Sequence, residues 1–254
     1  CQKADQRFPD DELVRIENGK LVIGKAKTDD PPPEIEAIAA LLKDRLEKIN
    51  LLDLAITVEK WLNLNHQFGP LSGFDSRIDD PFLRFVLTLF CYGTNIGPTE
   101  TARSVKGISR KQIAWISLKR TTEERLDKAI AKVNNAYKKY GLIECWGSGN
   151  SVSADGKLWD LYEDNLLSEY HLRYGSYGGI AYYHVSDTYI ALFSRFIPCG
   201  VYEAIYILDG LLNDESDFNP DTVHGDTQAQ STPVFGLAYL LGIKLMPRIR
   251  NIKD

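Results

Sequence analysis

Two aspartates in the last hundred residues are placed to do chemistry. Asp155 sits in Ser151-Val152-Ser153-Ala154-Asp155-Gly156, and Asp226 closes Thr222-Val223-His224-Gly225-Asp226. Val152 and Ala154 alternate with Ser153 and Asp155, so on a strand the aspartate points away from the apolar face. Carboxylates held side by side are hard oxygen donors of the kind Mg²⁺ takes, usually one or two of them beside substrate phosphates. Two such ions, about 3.5–4 Å apart, can activate the attacking oxygen of a phosphodiester reaction and stabilise the leaving one. The expectation is that Asp155 bridges both ions and Asp226 binds one, with Mn²⁺ as a substitute metal. His224 lies two residues before Asp226 and shares its face on a strand. It can reach metal, scissile phosphate or leaving group, or be satisfied inside the fold.

Other candidate chemistry is poorly supported. Ser151, Ser153 and Ser231 stand outside any Gly-x-Ser-x-Gly elbow. Gly175, Gly178 and Gly179 do not match a phosphate-loop pattern. His171 and His184 have no partners at metal-ligand spacing and read as structural. The aromatic stretch 158–178, with Trp159, Tyr162, Tyr170, Tyr174 and Tyr177, reads as packing over a sheet, with base stacking as the other use. From Arg103 to Arg120 there are positive residues at Arg103, Lys106, Arg110, Lys111, Lys119 and Arg120 and no acid. Two short helices joined by Lys106-Gly107-Ile108-Ser109 fit a helix-turn-helix. DNA contact and a solvated helix pair both remain open for that window.

The elements that must position these residues fall into three stretches. Residues 1–33 read as a tail and linker ending in Pro31-Pro32-Pro33. Residues 34–147 read as helical: Ile35, Ile38, Leu41, Leu42, Leu46 and Ile49 recur at helical spacing, Phe82–Tyr92 is a buried helix, and Thr121-Thr122-Glu123-Glu124 has capping-box spacing. Residues 148–254 shorten to strand periodicity. A strand around Asp155 precedes a hairpin turning at Ser186-Asp187-Thr188, then a helix from Val201 to Leu212. A strand ending at Asp226, a helix begun by Thr232-Pro233 and closed by Gly242, and a last strand from Lys244 complete the order. Strand, strand, strand, helix, strand, helix, strand is the α/β order of a ribonuclease-H-like core, in which the first and fourth strands lie side by side.

Composition narrows the partners. The chain has 254 residues, is 44% hydrophobic and carries a formal net charge of −5, so nucleic acid would be met by a local basic surface and not by bulk charge. Cys1, Cys91, Cys145 and Cys199 form no Cys-x-x-Cys pair, which fits a reducing cytoplasm. No apolar run approaches the roughly 18–20 residues of a membrane span, so no membrane partner is expected. The opening on Cys1 suggests a piece of something longer.

Several ordered motifs then carry a family likeness. Phe90-Cys91-Tyr92-Gly93-Thr94-Asn95-Ile96-Gly97-Pro98, Thr101-Ala102-Arg103-Ser104 and Ser109-Arg110-Lys111-Gln112-Ile113-Ala114-Trp115 come first. Ser153-Ala154-Asp155-Gly156, Tyr183-His184-Val185-Ser186-Asp187, Leu208-Asp209-Gly210-Leu211-Leu212, His224-Gly225-Asp226-Thr227 and Pro247-Arg248-Ile249-Arg250 follow. Over roughly residues 35–254 the chain resembles transposases of the Tn-three (Tn3) family, DDE enzymes of bacterial mobile elements. The resemblance implies replicative transposition: transposon ends are nicked and the 3′-hydroxyls joined to target DNA with divalent metal. It further implies Asp155 and Asp226 as the first two acids of the triad, DNA as partner, a dimer when intact, and a bacterial cytoplasmic, nucleoid-associated location. The family's third acid is a glutamate beyond the last motif, and no glutamate follows Asp226. Two further readings stand beside this one. One is a catalytically inactive remnant that acts at most as a DNA-binding or structural fragment. The other is a stand-alone nuclease, for which Asp254 is the only available third acid.

Overall fold

The computed structural model describes residues 6, 13–24, 30–74, 78–161, 168–172, 175–212 and 216–250. Tyr162, Tyr174 and Asp254 lie outside the described residues. The chain divides into two units, residues 1–49 with 249–254, and residues 50–248. The helices read together as 34–147 are thereby divided between the units.

In the first unit, β1 (Val14–Glu17) and β2 (Lys20–Ile23) form an antiparallel hairpin inside the stretch expected to be a tail. Its turn is Asn18-Gly19, both at positive φ (52° and 75°), the pairing that a two-residue hairpin turn favours. Helix α1 (Glu34–Arg45) begins with Glu34 and Glu36 and ends with Lys43 and Arg45, matching its dipole, yet it buries none of its residues.

The second unit opens with helices. They are α2 (Leu51–Leu62), α3 (Pro81–Gly93), α4 (Pro98–Ser104), α5 (Arg110–Arg120) and α6 (Glu123–Tyr137). Their starts are written in the sequence. Asn50 caps α2 by accepting from Leu52 N at 2.8 Å, and Asp80 caps α3 ahead of Pro81. Ser109 and Gln112 form a full capping box on α5, and Thr122 accepts from Arg125 N on α6. Leu87, Cys91, Ile108 and Ile113 make one core among these helices, and Leu64, Phe68, Phe85, Val86 and Ala129 another.

The sheet follows: β3 (Ser151–Asp160), β4 (Glu169–His171), β5 (Ser176–Ser186), β6 (Ala191–Pro198), β7 (Thr222–Gly225) and β8 (Lys244–Pro247), with α7 (Tyr206–Leu212) and α8 (Thr232–Leu240) between the later strands. β6 pairs β5 and β5 pairs β3, both antiparallel; β3 pairs β7 and β7 pairs β8, both parallel. Leaving out the short β4, which pairs the far edge of β5, the spatial order is β6-β5-β3-β7-β8. This is the ribonuclease-H-like order expected from the sequence, with three antiparallel strands followed by two parallel ones on crossover helices. Val152, Ala154, Ile180, Tyr182, Val223 and Leu245 of the sheet pack with Ile207, Leu208, Val234 and Ala238 of α7 and α8 in one core. Asn134 of α6 joins the helices to the sheet by donating to the carbonyls of Ala191 and Leu192, both at 3.1 Å. No helix among the described residues is long and apolar enough to cross a membrane.

Candidate active site

The parallel register of β3 and β7 sets Ser153 against His224 and Ala154 against Gly225. Asp155 and Asp226 are the next position on each chain, so the pairing brings the two aspartates together at the middle of the sheet. Val152 and Ala154 are buried, whereas Ser153 and Asp155 are exposed, as the alternation predicts. Asp226 directly follows β7 and caps a short 3₁₀ turn, Thr227–Ala229, its Oδ1 accepting from Gln228 N at 2.9 Å. Asp155 Oδ1 accepts from the next amide, Gly156 N, at 2.9 Å. His224 is exposed beside the pair.

A third carboxylate, absent from the sequence reading, stands next to these two. Glu203 opens a 3₁₀ turn, Glu203–Ile205, between β6 and α7. Burial raises its pKa, a hydrogen bond from the Gln228 side chain opposes that, and the charges of Asp226 and Asp155 add to the rise. The Tyr182 hydroxyl feels the same group: burial pushes its pKa up, and Asp226, Glu203 and Asp155 push it further. Gly156 makes room for Glu203. A Cβ built there would lie 2.5 Å from Glu203 Oε2, with Ile180 and Tyr182 also too close. Only that crowding around a glycine next to Asp155 could have hinted at Glu203 in advance, and a sequence does not display it.

The residues present suit a hard divalent ion held by few protein ligands. Two exposed carboxylates in adjacent register supply oxygen donors, leaving the remaining positions for water or phosphate oxygens. Among the described residues no three His, Cys, Asp or Glu side chains are grouped tightly enough to hold an ion by themselves.

His184 is placed apart from that task, whereas His171 lies near enough to Glu203 for its charge to act on that carboxylate. His171 ends β4. His184 is fully buried, its Nε2 2.9 Å from the Ile207 carbonyl oxygen. Burial is the main influence and lowers its pKa to about 4 from 6.5, against the opposing effects of the Ile207 carbonyl and Asp209. The unfolded chain therefore takes up this proton below pH 6.5, whereas the folded chain resists until about pH 4. Stability should fall over that window as pH drops, by about 3 kcal/mol from this group. Denaturant titrations of the parent and of His184→Gln at neutral pH and near pH 4 check it. The variant is expected to lose that much less on acidification.

The basic window folds as two packed helices, with α4 and α5 joined by Val105–Ser109 and Gly107 at φ 87°. Arg103, Lys106, Arg110, Lys111 and Lys119 are exposed, and Arg103 pairs with Glu100. Arg120 differs: it turns inward, donates to the Phe68 carbonyl at 3.4 Å and lies 5.6 Å from the Trp115 ring centroid. Charge alone places it with the others in sequence, but its side chain ties α5 to the turn before α3.

Comparison with known proteins decides the family. The profile of the Tn3 transposase DDE domain matches residues 53–254. The chain belongs to that family. Curated relatives agree: it is 32% identical over 95% of its length to the transposase of transposon Tn1546 from Enterococcus faecium, and 27% identical over 96% to that of transposon gamma-delta from Escherichia coli. The transposase of Tn21 from Escherichia coli is 29% identical over 82% of the chain. The chain spans only 24%, 25% and 21% of those relatives' own lengths. Among solved structures, a Mos1 transposase paired-end complex aligns over 85% of this chain and 73% of its own, at 11% identity and a TM-score of 0.28.

Proposed function

We propose that this chain is the portion of a Tn3-family DNA transposase that supplies the first two acids of its strand-cleaving site. The observation that carries the proposal is the β3–β7 register, which seats Asp155 beside Asp226 on an exposed part of the sheet. With a divalent ion bound, Mg²⁺ in the cell or Mn²⁺ in its place, the site gains the Lewis acidity that phosphodiester chemistry needs. The chain's own residues hold and orient. Asp155 is fixed at mid-strand in the sheet, and Asp226 is aimed by the turn it caps. His224, exposed one position before Gly225, is placed to meet phosphate or leaving group. The Mn²⁺ affinities of Asp155→Ala and Asp226→Ala test the pair directly: binding that ignores both substitutions overturns the reading.

The same reading assigns DNA to the exposed cations of α4 and α5. Arg110 and Lys111 open α5, where their charge opposes the helix dipole. That arrangement is unfavourable alone and is relieved when phosphates approach. The expected partner is the phosphate backbone, so the contact gives affinity and position more than sequence choice. Reversing both charges, Arg110→Glu with Lys111→Glu, is expected to weaken binding of duplex DNA and to lower the salt slope by about 2. Fluorescence anisotropy across a salt series measures it. An unchanged slope would remove this face from the DNA path. A paired-end dimer is expected of the complete transposase.

A further inference from the structure

We propose that the cleft between the 70–74 loop and the last turns of α5 takes an unpaired base of a DNA strand; this rests on reading α5 as a DNA-contacting helix. The cleft has a volume of about 550 Å³, and its walls include Pro70, Leu71 and Phe74 of the loop and Trp115, Leu118 and Lys119 of α5. None of its lining residues is acidic. Lys111, Trp115, Leu118 and Lys119 recur at i, i+4, i+7 and i+8, so they share one face of α5, while Ile113 and Ile116 are buried on the other. Phe74 is 78% exposed and Leu118 73%. A lone exposed apolar side chain needs no partner. These two line one cleft beside an indole, and such a grouping marks a binding site.

The loop is fastened so as to hold Phe74 there. Leu71 N donates to the Lys119 carbonyl at 3.1 Å, and Arg120 Nη1 donates to the Phe68 carbonyl at 3.4 Å. Arg125 donates to the carbonyls of Gly69 and Arg120, tying the start of the loop to the end of α5. Gly73 turns the chain at φ 72°, and Ser72 Oγ accepts from the Phe74 amide at 3.4 Å. Trp115 is held as well, with the Arg120 guanidinium 5.6 Å from its ring centroid. Both aromatic rings are therefore presented from fixed backbone.

The charges choose the ligand. An apolar peptide would use Phe74, Leu118 and Trp115 but has no need of cations on either side. Lys111 and Lys119 stand one turn before and one turn after Trp115, about 12 Å apart along the helix axis. In a nucleic acid strand every base is flanked by phosphates, so a row of cation, ring and cation matches it. The rings stack the base, and the two ammonium groups meet the neighbouring phosphates. A paired duplex keeps its base faces stacked on one another, so the ligand is a strand with unpaired bases.

The test uses the whole chain and fluorescence anisotropy with three labelled probes: oligo-dT, an abasic strand of the same length, and a duplex. The parent is expected to bind oligo-dT about tenfold more tightly than the abasic strand, which keeps the phosphates without the bases. Phe74→Ala should erase most of that preference and leave affinity for the abasic strand unchanged. Lys111→Glu with Lys119→Glu should weaken both strands alike. Trp115→Phe retains a ring and should retain the preference, whereas the tryptophan quenching that oligo-dT causes in the parent should be largely lost.

Equal affinity of the parent for oligo-dT and the abasic strand overturns the proposal, and so does a Phe74→Ala variant with the parent's preference. Either result leaves this face to a protein partner. If Trp115→Phe fails to fold, Phe74→Ala decides alone, since that side chain stands mostly in solvent. Failure of the underlying reading looks different. Duplex binding that is absent, or indifferent to Arg110→Glu with Lys111→Glu, takes duplex DNA off α5, while the comparison of oligo-dT with the abasic strand still reports on the cleft.

Discussion

Asp155→Ala is expected to weaken Mn²⁺ binding by about a hundredfold, and Asp226→Ala by a similar factor, while the metal-free chain keeps its fold. Each carboxylate is an oxygen donor to the ion, and even a residue that only orients such a ligand is worth about 10–100-fold in metal affinity, so loss of one of two ligands belongs at the upper end of that range. For Asp155 the effect on stability should carry the opposite sign. The register brings the two carboxylates close on adjacent strands, and Glu203 adds a third charge to their field. Like charges facing each other across strands are unfavourable by about 0.2–1 kcal/mol, so deleting Asp155 should leave the metal-free chain equally or slightly more stable. Asp226→Ala also removes the cap on Gln228 N and should cost the metal-free chain up to about 1 kcal/mol. Calorimetry for binding and denaturant unfolding for stability separate the two effects. An Asp155 substitution that lowers both together would mean that Asp155 serves the fold and not an ion.

The legibility of this site followed the range of the interactions that make it. Asp155 was visible because alternation along β3 is a local signal: two buried small residues put the aspartate on the opposite face. Asp226 was visible through its strand-like run and its place in the element order. The family motifs then agreed with both. Glu203 was hidden because it meets Gly156 of β3 only once the fold brings the two together. Arg120 misled for a related reason. A sequence displays a charge but not its direction, and only the fold shows the guanidinium turned toward the Phe68 carbonyl. The β1–β2 hairpin was legible in principle, because Asn18-Gly19 between Val14–Glu17 and Lys20–Ile23 is a strong turn signal, but its polar surroundings read as a tail. Helix α1 shows the reverse case, a clear apolar periodicity whose residues the structure leaves exposed.

Glu59→Ala is expected to remove about 4 kcal/mol of stability from the 50–248 unit without touching the aspartate pair. Glu59 lies in the last turn of α2, 1% exposed, just before Asn63 reverses the chain at φ 48°. Its two oxygens accept from the amides of Leu64 at 2.9 Å and Asn65 at 3.1 Å, the first donors of the 3₁₀ turn Leu64–Gln67. That turn delivers Leu64 and Phe68 into the core beside Phe85, whose ring centroid is 4.8 Å from that of Phe68. Alanine would leave two inward donors without acceptors, each worth about 1–3 kcal/mol, and a void where the carboxylate stood. Glu59→Gln should lose less, about 2 kcal/mol, because its oxygen can keep one amide while its NH₂ faces the other. Equilibrium unfolding in denaturant measures both. Losses below about 1 kcal/mol in the alanine variant would mean that water reaches these amides and that the turn needs no anchor. The decisive contrast is with the metal: the β3–β7 pairing is made without any residue of this corner, so the folded fraction of Glu59→Ala should bind Mn²⁺ as the parent does. Weakened binding there would show that the helical corner and the acid pair are mechanically coupled through α6 and β6, where Asn134 holds the Ala191 and Leu192 carbonyls.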